Sequence, residues 1–187
     1  ALDNAFRVME SNLDDFELWT TSNEYQEYNS LIITKIADFQ KYFNINSSGV
    51  TFHALRPIMR EVEAEYINSY LGSCVDAVKN NPTARALLIP AIVNYTVAKS
   101  AEIGTFANDG QILKIQWDEF PHQKSTVMDE TERSYFITSR KKAGAEYLKK
   151  VSKYLEVHPN DFPCYKPKPI GEASGRIMTT NAGMHLL

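Results

Sequence analysis

The chain has 187 residues, of which 43% are hydrophobic and 23% are charged, and a formal net charge of −3. These values are typical of one globular domain that buries roughly 70% of its unfolded surface, which argues against wholesale disorder. The near-balanced charge argues against a generic nucleic-acid binder, and no apolar run approaches the ~20 residues that span a bilayer. The first residues lack a basic-then-apolar signal, which favours a soluble, intracellular protein.

Charge is distributed unevenly along the chain. Residues 1–30 contain seven acids and one base, residues 31–164 contain 16 bases and 15 acids, and residues 165–187 contain three bases and one acid. We therefore predict three parts: an acidic N-terminal arm, a nearly neutral body and a mildly basic, extended C-terminal tail. Solvated termini and termini that bind a neighbouring subunit both fit this distribution.

The arm contains large apolar residues at helical spacing. From Leu2 onward they recur at intervals of four, three, four and three residues, which predicts one face of a helix, and a tryptophan follows. Burial of each such side chain is worth roughly 1.5–3 kcal/mol, so we expect them to contact protein. The predicted interface residues of the arm are Phe6, Met9, Leu13, Phe16 and Trp19.

The first half of the body predicts three helices. Apolar residues at helical spacing indicate a short helix over 34–43 and a longer one over 51–72. Gly72 is a natural end for the longer helix, whereas Pro57 either begins its main part after a preliminary turn or bends it. A further short helix is predicted over 74–79.

The next helix is predicted to be the buried centre of the body. It begins at Asn81 and Pro82, as N-cap and first helical residue, and ends at Gly104. Its residues are apolar almost all round, which is typical of a helix enclosed by others. Pro90 inside it predicts a kink.

A small β-hairpin and a long helix complete the body. Alternation of apolar and polar residues over 113–117, after an Asn-Asp-Gly turn signal, predicts one strand of the hairpin. A helix predicted over 128–157 would be about 45 Å long at ~1.5 Å per residue. The predicted fold class is therefore mainly α: a bundle of four to five helices with an inserted β-hairpin, plus the arm and the tail.

The tail is rich in proline and glycine, which excludes a long helix. It ends in an apolar tetrapeptide, so docking along another surface and plain disorder both stay open. The predicted interface residues of the tail are Met184, Leu186 and Leu187.

The two cysteines do not indicate a metal site. Cys74 and Cys164 are 90 positions apart and the four histidines are scattered, so no set of zinc ligands is visible. Two free thiols in a reducing cytoplasm are predicted in preference to a disulfide.

Other polar clusters have ordinary explanations. Three closely spaced carboxylates are attributed to surface ion pairs, one of them with Arg60, rather than to acid–base catalysis: Glu61, Glu63 and Glu65. The basic residues of 140–153 alternate with acids, which is typical of a solvated helix face, although contact with DNA stays open. No catalytic residue, metal or cofactor is predicted.

Residues 31–163 resemble a known group of proteins. The strongest segment is Phe52-x-x-Leu55-x-Pro57-Ile58-x-x-Glu61-x-Glu63-x-x-Tyr66-Ile67-x-x-Tyr70-Leu71-Gly72, preceded by Leu31-Ile32-Ile33-Thr34-Lys35-Ile36-Ala37-Asp38-Phe39 and followed by Asn108-Asp109-Gly110-x-Ile112 and Asn160-Asp161-Phe162-Pro163. The pattern resembles an uncharacterised family from Bacteroidetes phages and prophages. That family is similar in length and helical plan to the head–tail connector (adaptor) proteins of tailed bacteriophages.

The resemblance implies a structural virion protein of the neck region, which is in the host cytoplasm during assembly, with no enzymatic activity. Such proteins form a homo-oligomeric ring, often of twelve subunits, beneath the portal protein. The ring extends the DNA channel, lets DNA pass non-specifically and docks the next tail or neck protein, without contact with a membrane. Opposite charge at the two ends of the chain is then a candidate pair of complementary patches between subunits.

Two alternatives belong to other classes of protein. The first is a small helical enzyme or ligand-binding protein of a bacterial host, with a pocket beneath Pro90 lined by Tyr95 and Trp117. The second is a DNA-binding regulatory module that uses residues 140–153.

Overall fold

The structure is a computed structural model that describes residues 2–103 and 129–166, and these two stretches are mainly helical, without a strand. The helices are α1 (Leu2–Ser11), α2 (Glu17–Thr20), α3 (Asn23–Asn29), α4 (Ile36–Gln40), α5 (Gly49–Val62), α6 (Asn68–Leu71), α7 (Val75–Asn80), α8 (Pro82–Ile103) and α9 (Glu130–Val157). Short 3-10 segments cover Leu13–Asp15 and Gly72–Cys74, and a π-helical segment covers Glu63–Ile67. The mainly helical fold class is confirmed, whereas the hairpin strand predicted over 113–117 lies outside the described residues.

Helix α8 is the centre of the body, as its sequence predicts. The side chain of Asn81 accepts hydrogen bonds from the backbone N–H groups of Thr83 and Ala84, so the predicted N-cap is confirmed. Every residue from 88 to 98 is buried, including Pro90 within the helix. Because this stretch of the helix is buried on all sides and mostly apolar, it is stable only when other helices cover it.

Helix α9 packs along α8 and begins at a capping box. The side chain of Asp129 accepts a hydrogen bond from the N–H of Glu132, whose carboxylate accepts one from the N–H of Asp129. At the contact with α8, Gly144 faces the ring of Tyr95, and an added Cβ would lie 2.9 Å from the nearest ring carbon. The two helices therefore approach closely at this point.

Helix α5 also packs against α8 and leads into a continuous helical stretch. The hydroxyl of Ser48 caps its start by accepting from the N–H of Thr51, and Pro57 lies inside the helix rather than at its beginning. The chain continues through the π-helical segment and α6 to Gly72, which has a φ of +57°. Since glycine adopts positive φ without strain, the predicted helix end at this residue is confirmed.

The arm is not one continuous helix. Helix α1 ends at Ser11, and the side-chain amide of Asn12 donates a hydrogen bond to the carbonyl of Val8 at 2.9 Å. An asparagine side chain that bonds the preceding turn competes with helix propagation. The predicted apolar stripe is therefore divided among α1, the 3-10 segment and α2.

A disulfide joins Cys74 to Cys164, so the prediction of two free thiols is wrong. After α9 the chain turns back at His158, buries Phe162 and places the Cα of Cys164 5.2 Å from that of Cys74. Tertiary packing brings the two cysteines together, and their separation of 90 residues in the sequence does not predict this proximity. The preference for free thiols rested on the general rarity of disulfides in reducing cytoplasm and not on the position of either cysteine.

Reduction of this disulfide is expected to lower the free energy of unfolding by about 3–5 kcal/mol, because the bond closes a loop of about 90 residues. Urea denaturation of the oxidised protein with and without reductant measures the loss. A Cys74→Ala/Cys164→Ala variant should have the same free energy of unfolding as the reduced protein, and adding reductant should not change it. Two reactive thiols in denatured, unreduced protein would contradict the disulfide.

A methyl group at Gly144 is expected to destabilise the protein by about 1–3 kcal/mol, because the Tyr95 ring that it would meet is buried and stacked on Tyr66. Gly→Ala in an ordinary helix interior stabilises by about 0.5–1 kcal/mol, so the sign of the effect is diagnostic. Thermal unfolding of Gly144→Ala is compared with that of Ser139→Ala, an exposed α9 control expected to stay within about 0.5 kcal/mol of wild type. A Gly144→Ala variant as stable as wild type would contradict the close approach.

Candidate interaction surfaces

The inner side of the arm packs on α5 of the same chain. The rings of Trp19 and Tyr28 lie 6.4 and 6.2 Å from that of His53, and the guanidinium of Arg56 lies 4.9 Å from the Tyr28 ring centroid. An ion pair of 2.9 Å joins Glu27 on the arm to Arg60 on α5. The arm is therefore anchored to its own body along one side.

The outer side of the arm is acidic and partly apolar. Its carboxylates are exposed and form no ion pair within the described part of the chain: Asp14, Asp15, Glu17 and Glu24. Between them, Phe16 is 38% exposed and Leu18 is 91% exposed. We call this surface, defined by Asp14, Asp15, Phe16, Glu17, Leu18 and Glu24, the acidic face.

The structure distributes the predicted interface residues between these two sides. Met9, Leu13 and Trp19 are half-buried, whereas Phe16 is exposed. Phe6 belongs to α1, but its side chain lies outside what the structure describes. The predicted tail residues also lie outside the described residues: Met184, Leu186 and Leu187.

Arg140 and Lys141 do not contribute to an open basic stripe on α9. The guanidinium of Arg140 lies between the rings of Phe43 and Phe136, at 5.3 and 5.2 Å, and donates a hydrogen bond of 3.3 Å to the side-chain oxygen of Asn94. Burial lowers the pKa of Arg140 from its usual value. Lys141 forms an ion pair of 2.5 Å with Glu102 at the end of α8. Both cations are thus committed to contacts within the chain.

The exposed cations of α9 form a separate surface, which we call the lysine face: Lys142, Lys149, Lys150 and Lys153. Their spacing of seven, one and three residues places them on one side of the helix. Glu146 lies among them and pairs with Lys149 at 2.7 Å, and this hydrogen bond lowers the pKa of the Glu146 carboxyl. Within the described stretches Lys142 and Lys153 form no ion pair, so the face keeps a positive charge.

The closely spaced carboxylates of 61–65 have two different environments. Glu61 and Glu65 form ion pairs with Lys99 at 3.0 and 2.5 Å, which confirms the expected ion-pair role for these two. Glu63 is instead half-buried at the start of the π-helical segment, where its carboxylate accepts a hydrogen bond of 2.8 Å from the N–H of Ile32. The expected pairing of Glu63 with Arg60 is wrong, because Arg60 binds Glu27.

The buried environment of Glu63 changes its protonation. Burial raises the pKa of Glu63 from 4.5 to about 7, against the opposing effects of the Ile32 hydrogen bond and the charge of Lys79. The same segment of chain is held by Arg85, which donates to the carbonyl of Ile32 at 2.7 and 3.1 Å, and by Lys79, which donates to the carbonyl of Ser30. Glu63 therefore helps to hold the backbone of residues 30–32 in place through its hydrogen bond to Ile32.

The pocket predicted beneath Pro90 is filled by protein at Tyr95. The Tyr95 ring is buried and stacks on that of Tyr66, with ring centroids 4.4 Å apart, while Trp117 lies outside the described residues. Burial raises the pKa of the Tyr95 hydroxyl to about 12, with a smaller effect from Tyr66, so this hydroxyl stays neutral. An open surface depression of about 540 Å³ lies elsewhere, beside α4, and is lined by Ile36, Ala37, Gln40, Lys41 and Ser47.

The described residues hold no cluster of three or more His, Cys, Asp or Glu side chains placed to bind a metal ion. Over the same stretches no helix has the length and hydropathy needed to cross a membrane. Comparison of the chain with protein-family models, curated protein sequences and solved structures found no significant match. The resemblance of residues 31–163 to phage connector proteins therefore stays a prediction from the sequence.

Glu63 is expected to make stability depend on pH. Because its folded pKa of about 7 exceeds the ordinary 4.5, the folded chain holds a proton between these values that the unfolded chain has lost. The resulting stability is full below pH 4.5 and is lost as pH rises through 7. From pH 5 to pH 8, Glu63→Gln should therefore gain roughly 2–3 kcal/mol relative to wild type in urea denaturation. Glu130→Gln, at an exposed carboxylate outside both faces, should show no such gain, and equal pH slopes for wild type and Glu63→Gln would contradict the assignment.

Proposed function

We propose that this protein is a structural subunit of a tailed-phage virion, a head–tail connector that assembles into a ring beneath the portal protein. In this role the ring, of about twelve subunits, extends the DNA channel and docks the next tail or neck protein. The resemblance of residues 31–163 to such connectors supports this proposal. The structural observation that supports it best is the separation of the acidic face and the lysine face on one disulfide-linked helical body.

A closed ring of identical subunits requires two different, mutually complementary surfaces on each subunit. The acidic face lies on the arm, which packs on α5, whereas the lysine face lies on α9, which packs on α8. The two faces thus lie on different elements of the same subunit. The nearly neutral body also suits a channel through which DNA must slide without being held.

The alternative functions have weaker support. A ligand-binding protein or enzyme with a site beneath Pro90 conflicts with the close packing of Tyr95 against Tyr66. Glu63 has the raised pKa that is common in functional sites, but its carboxylate binds backbone and is not part of the depression beside α4. A DNA-binding stripe over 140–153 loses Arg140 and Lys141 to contacts within the chain.

The proposal predicts that the oxidised chain of 187 residues assembles into rings. Light scattering during size-exclusion chromatography, over increasing protein concentration, should give a discrete species near twelve times the 21.2 kDa of one chain. Negative-stain images of this species should show rings with an open centre. A chain that stays strictly monomeric at every concentration, or that forms only heterogeneous aggregates, would contradict the proposed function.

A further inference from the structure

We propose that the acidic face of one subunit docks on the lysine face of α9 in a second copy of the chain. This inference deepens the proposed function and rests on it, because it names the surfaces through which neighbouring subunits of the ring meet. Both faces are exposed, and they are opposite in charge.

The acidic face has the features of a protein-binding surface. Its four carboxylates have no ion-pair partner within the described residues, and in sequence they flank Leu18, which is 91% exposed. Aromatic contacts and the Glu27–Arg60 ion pair hold the other side of the arm on α5. The acidic face is therefore presented on a supported segment, which lowers the entropy cost of binding.

The lysine face complements it in charge and has an apolar component of its own. Lys142 and Lys153 are eleven residues apart, so the face is about 16 Å long at 1.5 Å per residue. Val157, one turn beyond Lys153, is 68% exposed and extends the face with an apolar side chain. Four lysines with two exposed acids on the same side of the helix, Glu146 and Glu156, thus keep a net positive charge opposite four unpaired carboxylates, and Val157 offers Leu18 an apolar contact.

Other binding partners for the lysine face have weaker support. The tail of the chain is itself net basic, so it would be repelled rather than attracted. Duplex DNA would meet only four exposed lysines interrupted by two exposed acids, since Arg140 and Lys141 form contacts within the chain. The acidic arm is the segment of this chain with the largest opposite charge.

Charge reversal on either face tests the contact. The arm variant is Asp14→Lys/Glu17→Lys, the helix variant is Lys149→Glu/Lys153→Glu, and the control Lys41→Glu/Lys166→Glu makes the same charge change as the helix variant at exposed sites outside both faces. Each face variant alone should weaken subunit association roughly tenfold or more, while an equimolar mixture of the two should recover part of the loss. The control should associate like wild type, and circular dichroism checks that every variant is folded.

Zero-length carbodiimide cross-linking of mixed ¹⁴N- and ¹⁵N-labelled chains locates the contact directly. Mixed-isotope cross-links should join Asp14, Asp15 or Glu17 of one chain to Lys149, Lys150 or Lys153 of another. Rings that form equally well from both face variants, without such cross-links, would overturn this inference and leave the proposed function standing. Absence of any assembly by wild type would overturn both, and loss of duplex DNA binding without loss of assembly in the helix variant would assign the lysine face to DNA instead.

Discussion

The burial of α8 on all sides is the constraint on which the rest of the structure depends. A helix that is apolar all round is stable only inside a cage of other helices, and here α4, α5, α7 and α9 supply that cage. The cage is tight where Tyr95 lies between Tyr66 and Gly144, because only a residue without a side chain lets α9 come so close. Within the described residues, the centre of the body is thus filled with protein around Tyr95.

Two sets of contacts attach the outer parts of the chain to this core. The disulfide ties the chain beyond α9 to the segment before α7, and three polar side chains hold residues 30–32 where the arm joins the body: Glu63, Lys79 and Arg85. With these attachments the arm and α9 become supported platforms for their exposed charges. A supported, charge-opposed pair of surfaces is what repeated association of identical subunits requires, and it is the basis of the proposed ring.

Local signals predicted much of the fold, and long-range contacts explain the rest. The N-cap at Asn81, the apolar circumference of α8 and the end at Gly72 depend on a few neighbouring residues, so the sequence alone was sufficient for them. The guanidinium of Arg140 lies against the ring of Phe43, which follows α4, and that of Phe136 on α9. The contact with Phe43 joins residues far apart in sequence, so no local pattern predicts it. The Cys74–Cys164 bond and the Glu63–Ile32 contact likewise join residues that only the folded chain brings together. The acidic arm was visible in the charge distribution, but its attachment to α5 through Trp19 was not.

We therefore attribute stability to the interior and the proposed assembly to the exposed faces. Amide hydrogen exchange, followed by mass spectrometry at low and high protein concentration, tests this division most directly. The account predicts that amides of residues 88–98 exchange most slowly at both concentrations, and that amides of residues 13–18 become protected only when the concentration favours assembly. Exchange of 88–98 as fast as that of the arm, or an arm whose exchange is the same at both concentrations, would contradict it.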